Sequence, residues 1–108
     1  MMLVNTETIP GYEITDVKGM VKGNVVRAKH IGKDFVAGFR NIVGGEVKEY
    51  TEMLTESRQR ATERMVKEAE NSGADAVVNV RFVTSQIANG AAELLVYGTA
   101  VSIQKKIK

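Results

Sequence analysis

The feature that most constrains this chain is Asn89-Gly90, set between two long alternating apolar runs. Both residues accept positive φ, which a two-residue hairpin turn of the right twist requires. With these two in the turn, Ala88 pairs with Ala91 and the register propagates from there. Phe82 then stands opposite Tyr97, Val80 opposite Thr99, Val78 opposite Val101 and Ala76 opposite Ile103. One face of the hairpin is thereby almost wholly apolar. The other carries Val77, Asn79, Arg81 and Val83 against Ser102, Ala100, Gly98 and Val96, with Leu94 beyond.

What precedes the hairpin reads as strand, strand, helix, helix. Residues 2–6 form a short apolar strand, and Thr8-Ile9-Pro10-Gly11 a turn. Tyr12 to Lys29 is strand-like, with Val17, Val21 and Val25 on one parity. Gly19 and Gly23 between them predict a bend, a bulge or a close backbone approach. The period then changes. Ile31, Phe35, Phe39 and Ile42 recur at helical spacing, widened by Val36 and Val43. Gly44-Gly45 interrupts, and a second helix from about Glu46 to Ser72 resumes with Val47, Tyr50, Leu54, Ala61, Met65 and Ala69. Gly73 suits the position just past its end.

The expected fold is a mixed α/β (α+β) single domain over residues 1–108. An antiparallel sheet packs against one long helix, preceded by a shorter one. A single helix covers only one face of such a sheet. The second hairpin face holds too much aliphatic surface to lie bare, since burial of apolar area is worth about 25 cal/mol per Å². Either the Ile31–Val43 helix or a second subunit must cover it. The layer and symmetry arguments favour the subunit.

Composition excludes several function classes. The chain of 108 residues has 44% hydrophobic and 26% charged residues, which is the balance of an ordinary globular protein and not of a disordered one. No apolar run approaches the roughly 20 residues needed to span a bilayer. Met1 to Glu7 lacks the pattern of a secretory leader, so a cytoplasmic location is expected. Zero cysteines exclude disulfides, thiolate metal sites and cysteine nucleophiles. The net charge of +2 does not imply nucleic-acid binding. From Glu56 to Glu70 the charges alternate in sign, whereas a phosphate-binding stripe needs one sign. Glu56→Arg60 and Glu63→Lys67 are instead helix-stabilising pairs four residues apart.

Gly44-Gly45, Tyr50, Arg58, Ala61, Gly73-Ala74-Asp75-Ala76-Val77, Arg81 and Tyr97-Gly98-Thr99-Ala100-Val101 together resemble the YbjQ-like family. The resemblance runs from about Val4 to Ile103. It implies a dodecin-like two-layer fold and a ring-forming homo-oligomer, with a pentamer as the expected size. The family's label refers to heavy-metal binding, and the resemblance brings no established activity or cofactor.

Soft metals want thiolate or imidazole ligands. This chain offers one imidazole, His30, so a metal site requires ring symmetry to gather several copies, with Met thioethers added. A surface histidine at a strand-to-helix junction is the simpler reading. Arg81, set opposite Gly98 with Asn79 two residues away on the same face, is the candidate for a small anion or carboxylate ligand. An ion pair with Asp75 or Glu93 of a neighbouring subunit is the competing role. Gly44-Gly45 before a helix start lacks the Lys-Ser/Thr of a phosphate loop and reads as a kink. Phe35, Phe39 and Tyr50 read as core, or for the two Phe as a pocket or subunit contact. No serine elbow, His-Glu helix motif or paired carboxylates are present, so no catalytic residue is assigned and a non-enzymatic role is expected.

Overall fold

The structure, a computed structural model, describes residues 1–27, 48–88 and 90–107. Among these residues the elements are strands β1 (Met2–Leu3), β2 (Tyr12–Arg27), β3 (Ala76–Ala88) and β4 (Ala91–Lys105) and helix α1 (Lys48–Asn71). The fold is mixed α+β, a four-stranded sheet of order β1-β3-β4-β2 packed with one helix. β2 and β3 both run antiparallel to β4, and β1 lies parallel to β3. The expected Ile31–Val43 helix, the Gly44-Gly45 break and His30 lie outside the described residues.

Helix α1 forms where its stripe predicts. Ala61, Met65 and Ala69 are fully buried at a strict four-residue interval, and Ser57 continues the stripe one turn earlier at 1% exposure. Small residues at three of these four positions, Ser57, Ala61 and Ala69, let the helix settle close to the sheet. The limit of that approach is Gly23. A β-carbon there would run into the Ala61 carbonyl and sit 2.6 Å from the Met65 backbone nitrogen. The helix lies over β2 and β4 and barely reaches β3.

The helix ends in a six-to-one closure. Ala74 N donates to Ala69 O at 3.1 Å and Gly73 N to Glu70 O at 3.0 Å, with Gly73 at φ +80°. These are the two bonds of a Schellman motif, which satisfies carbonyls the last helical turn leaves free. Asp75 then pins the chain to β4. Its backbone N donates to Val101 O at 2.9 Å, and its Oδ2 accepts from Ile103 N at 3.0 Å.

The sheet's two faces are buried by different means. On the helix side Val21, Val25, Val77, Val96 and Ala100 pack with Ala61, Met65 and Ala69. On the other side Ala76, Val78 and Val101 are covered by Ile9, with Val4, Tyr12 and Ile103 around them. Ile9 is held there by the expected turn, in which Tyr12 N donates to Ile9 O at 3.0 Å and Gly11 takes φ +86°.

The Ala88–Ala91 pair closes the hairpin as its turn predicts, but the register beyond it does not hold. Two irregularities on β3, between Gln86 and Ala88 and between Val78 and Arg81, each shift the pairing by one residue. Ala76 meets Val101 instead of Ile103, Val78 meets Thr99 instead of Val101, and Phe82 meets Val96 instead of Tyr97. The apolar set Ala76, Val78, Val80 and Phe82 is therefore split. Val80 joins Val77 on the helix side, while Ala76 and Val78 face away. Val17 is likewise separated from Val21 and Val25 by a bulge at Gly19, whose φ is +120°.

Candidate functional site

Asn79 is the pivot of the region that the sequence singles out. It takes φ +55°, the only positive φ at a non-glycine among the described residues. Asparagine tolerates this left-handed conformation better than other non-glycine residues, because its short side chain bonds locally. The neighbouring segment fixes it in place. Asn79 N donates to Thr6 O and Val80 N to Val4 O, both at 3.0 Å. Asn79 and Val80 together stand opposite the single residue Gly98. Gly98 has no room for a side chain, since a β-carbon would lie 2.6 Å from Val77 Cγ1 and 2.9 Å from Val78 O.

This bulge corrects the expected setting of Arg81. Arg81 pairs with Tyr97, not with Gly98. The extra residue between them also removes the simple same-face relation to Asn79. The Arg81 guanidinium turns back along the chain, its Nη1 donating to Asn5 O at 2.7 Å and to Val80 O at 3.0 Å. It clasps the segment that follows β1. The two acidic residues considered as its partners are engaged within the chain, Asp75 on Ile103 N and Glu93 Oε2 accepting from Asn24 Nδ2 at 3.0 Å.

The face away from the helix has a definite layout beyond Ile9. Reading across β2, β4 and β3, its rows are Lys22–Tyr97–Arg81, Asn24–Leu95–Val83 and Val26–Glu93–Ser85. Val26 and Val83 are 51% and 40% exposed, and Met20, one row below Lys22 on this face, is 75% exposed. On the helix side Phe82 is half exposed, because the helix does not extend over β3.

A second polar cluster joins the far end of β2 to α1. Arg27 Nε donates to Ser57 Oγ at 2.9 Å, and Arg27 Nη2 lies 3.8 Å from Glu56 Oε1. Glu56 in turn pairs with Arg60 at 2.9 Å, the expected pair four residues apart. The Glu63–Lys67 pair is not closed. Ser57 is a polar residue in the buried stripe, and its burial was legible from the four-residue interval to Ala61. Its partner, 30 positions earlier in the chain, was not.

No group of three or more His, Cys, Asp or Glu able to hold a metal ion occurs among the described residues. With no cysteine anywhere in the chain, the described side chains do not fit a heavy-metal centre.

Comparison with known proteins gives the chain its kinship. A family model described as "Putative heavy-metal-binding", YbjQ, matches residues 1–104. A UPF0145 protein of Archaeoglobus fulgidus is 60% identical over 104 residues, covering 96% of both chains. The chain belongs to the YbjQ-like UPF0145 family. Further UPF0145 relatives include one from Thermosipho africanus, 58% identical over 97% of both chains, and one from Vibrio campbellii, 57% identical over 95% of this chain and 99% of that one. In three dimensions the chain resembles the crystal structure of a protein of unknown function from Pediococcus pentosaceus, assigned to the DUF74 family. The TM-score is 0.59 at 18% identity, over 96% of this chain and 98% of that one. That likeness concerns the fold. The segments that carry the UPF0145 resemblance have structural work in this molecule. Gly73-Ala74-Asp75-Ala76-Val77 is the helix stop, the clamp on β4 and the start of the core strand. Tyr97-Gly98-Thr99-Ala100-Val101 is the strand stretch that accommodates the bulge and feeds both cores.

Proposed function

We propose that this chain is one subunit of a cytoplasmic, non-enzymatic homo-oligomeric ring of dodecin-like two-layer subunits, with a pentamer as the expected size, which binds a small ligand at its subunit boundaries. The observation that carries the reading is the pair Phe82 and Val83. They are neighbours on opposite faces of β3, 49% and 40% exposed, so the far half of the hairpin shows apolar surface on both sides. Overall dimensions support it. The described chain measures 59 × 26 × 15 Å with a radius of gyration of 17.5 Å, where a compact domain of this length has about 13 Å. A flat, elongated subunit with apolar flanks gains most of its remaining burial from sister chains. The charged side chains around the sheet support a non-catalytic role, since Arg81, Asp75 and Glu93 are each engaged in holding backbone or neighbouring strands. Sedimentation velocity and native mass measurement at micromolar concentration test the assembly. A single species at 11.8 kDa overturns it.

A second reading, anion binding, is favoured by one row. Lys22 and Arg81 flank Tyr97 across the open face, which sets two cations on one line of the sheet. A rise in thermal midpoint with inorganic phosphate, lost in Lys22→Met and Arg81→Met, supports it. An equal response in wild type and both variants counts it out. A metal ion has His30 as its remaining imidazole ligand, outside the described residues.

A further inference from the structure

The two edges of the sheet are unequal to their exposure. On β3 the outer edge is occupied only at its beginning. β1 pairs with Ala76 and Val77, and the hydrogen bonds from Asn79 and Val80 to Thr6 and Val4 continue that cover to Val80. Beyond it, among the described residues, no strand pairs with the edge from Arg81 to Ala88, nor with the outer edge of β2. Natural edge strands are protected by charge, proline or shortness, since bare N–H and C=O groups recruit further strands. Phe82 to Ala88 contains no charged residue and no proline. On β2, Met20 to Val26 contains one charge, Lys22. The β3 stretch carries none of the usual protection, and the β2 stretch only the single lysine that follows the bulge before Gly19.

The placement of these edges suggests what covers them. β2 and β3 run in the same direction, because each is antiparallel to β4. They are also level. The rows across the sheet align Lys22 with Arg81, Gly23 with Phe82, and so on to Arg27 with Gln86. A contact between two different surfaces of one subunit generates a closed ring only when each step adds no net rise. Edges that point the same way allow this, because each copy can then follow the last by one and the same rotation.

We propose that the β2 edge of one copy pairs in parallel with the Arg81–Ala88 edge of β3 in the next copy, so that the sheet runs continuously through the assembly. This rests on the oligomeric reading above and assigns its contact. Like charges directly opposite on neighbouring strands are unfavourable, and level pairing sets Lys22 beside the next copy's Arg81. The pairing is therefore slipped along the strands, and the strands tilt against the ring axis so that the slip adds no rise. The 16-residue length of β2 leaves room for such a slip.

The chain lacks cysteine, which makes the contact testable by cross-linking. Two single variants are made, Lys22→Cys on β2 and Val83→Cys on β3, on the same face of the sheet. They are co-expressed with different tags and treated with a short bismaleimide. The expected result is a cross-linked dimer containing one of each, with none from either variant alone. A dimer from Val83→Cys alone means that β3 pairs with its own copy across a two-fold axis, and overturns the proposal. So does the absence of any cross-link in particles that sedimentation shows to be intact oligomers, a result that leaves the oligomeric reading standing. A monomeric wild-type protein overturns both. Circular dichroism of each variant against wild type verifies that the hairpin is folded.

Discussion

Gly23 of β2 lies directly beneath Ala61 of α1, so close that a single β-carbon on the strand would collide with the helix backbone. The sheet-to-helix distance is thus set by a missing side chain. Gly23→Ala has no flexible neighbour to push aside, because the Ala61 carbonyl and the Met65 backbone nitrogen are what it meets. Overpacking of this kind costs about 3 kcal/mol or more where the obstacle is backbone. Chemical denaturation measures it. A loss below about 1 kcal/mol would mean the helix can lift without penalty.

Asn79 and Gly98 form one unit and are predicted to respond as one. Asn79→Gly keeps φ +55° accessible and should be near neutral, whereas Asn79→Val forces a β-branched residue into a left-handed conformation at about 1–3 kcal/mol. Gly98→Ala presses on Val77 Cγ1 and the Val78 carbonyl and should cost about 1–3 kcal/mol. Equal stability of the Asn79→Gly and Asn79→Val proteins in urea would show that the bulge is not held in solution.

Ser57 is buried with Arg27 Nε as its donor. Ser57→Ala removes the acceptor and leaves a partly buried guanidinium short of a partner, a loss of about 1–3 kcal/mol. A double-mutant cycle with Arg27→Met isolates the pair. The coupling should be positive, and additive losses would place the cost in packing alone.

Asp16 sits on the exposed surface of β2 with Lys18 Nζ 3.0 Å from its Oδ2. The hydrogen bond from Lys18, then the ammonium's charge, hold the Asp16 carboxyl below its ordinary range. A carboxyl depressed on folding contributes stability above its unfolded pKa and loses it as pH falls through the folded one. Asp16 faces solvent, so that contribution is small and screened by salt. An NMR titration of Asp16 should show a midpoint below the ordinary aspartate value, returning upward in Lys18→Met. An unchanged midpoint in that variant would assign the effect elsewhere.

The sequence by itself determined the elements. Asn89-Gly90 placed the hairpin end at Ala88–Ala91, the Ala61–Met65–Ala69 interval placed the helix, Gly73 its stop, and Pro10-Gly11 the turn beneath Ile9. Each rests on local chemistry, a φ preference or a repeat. It did not determine which way β3 faces past Asn79. A two-residue period reads the same after a slip of one, apart from an exchange of faces. Val77, Val78 and Val80 are apolar on both parities, so nothing local forbade the wrong choice. An asparagine amid β-branched residues was the only hint, since asparagine is depleted in strands and at ease at positive φ. The tertiary structure decided the matter. The carbonyls of Val4 and Thr6, more than 70 residues away, take the N–H groups of Val80 and Asn79, and Gly98 leaves the space that the bulge fills. Contacts of that separation carry no periodicity within the strand they reshape, and so Arg81 came to hold Asn5 instead of standing open opposite Gly98.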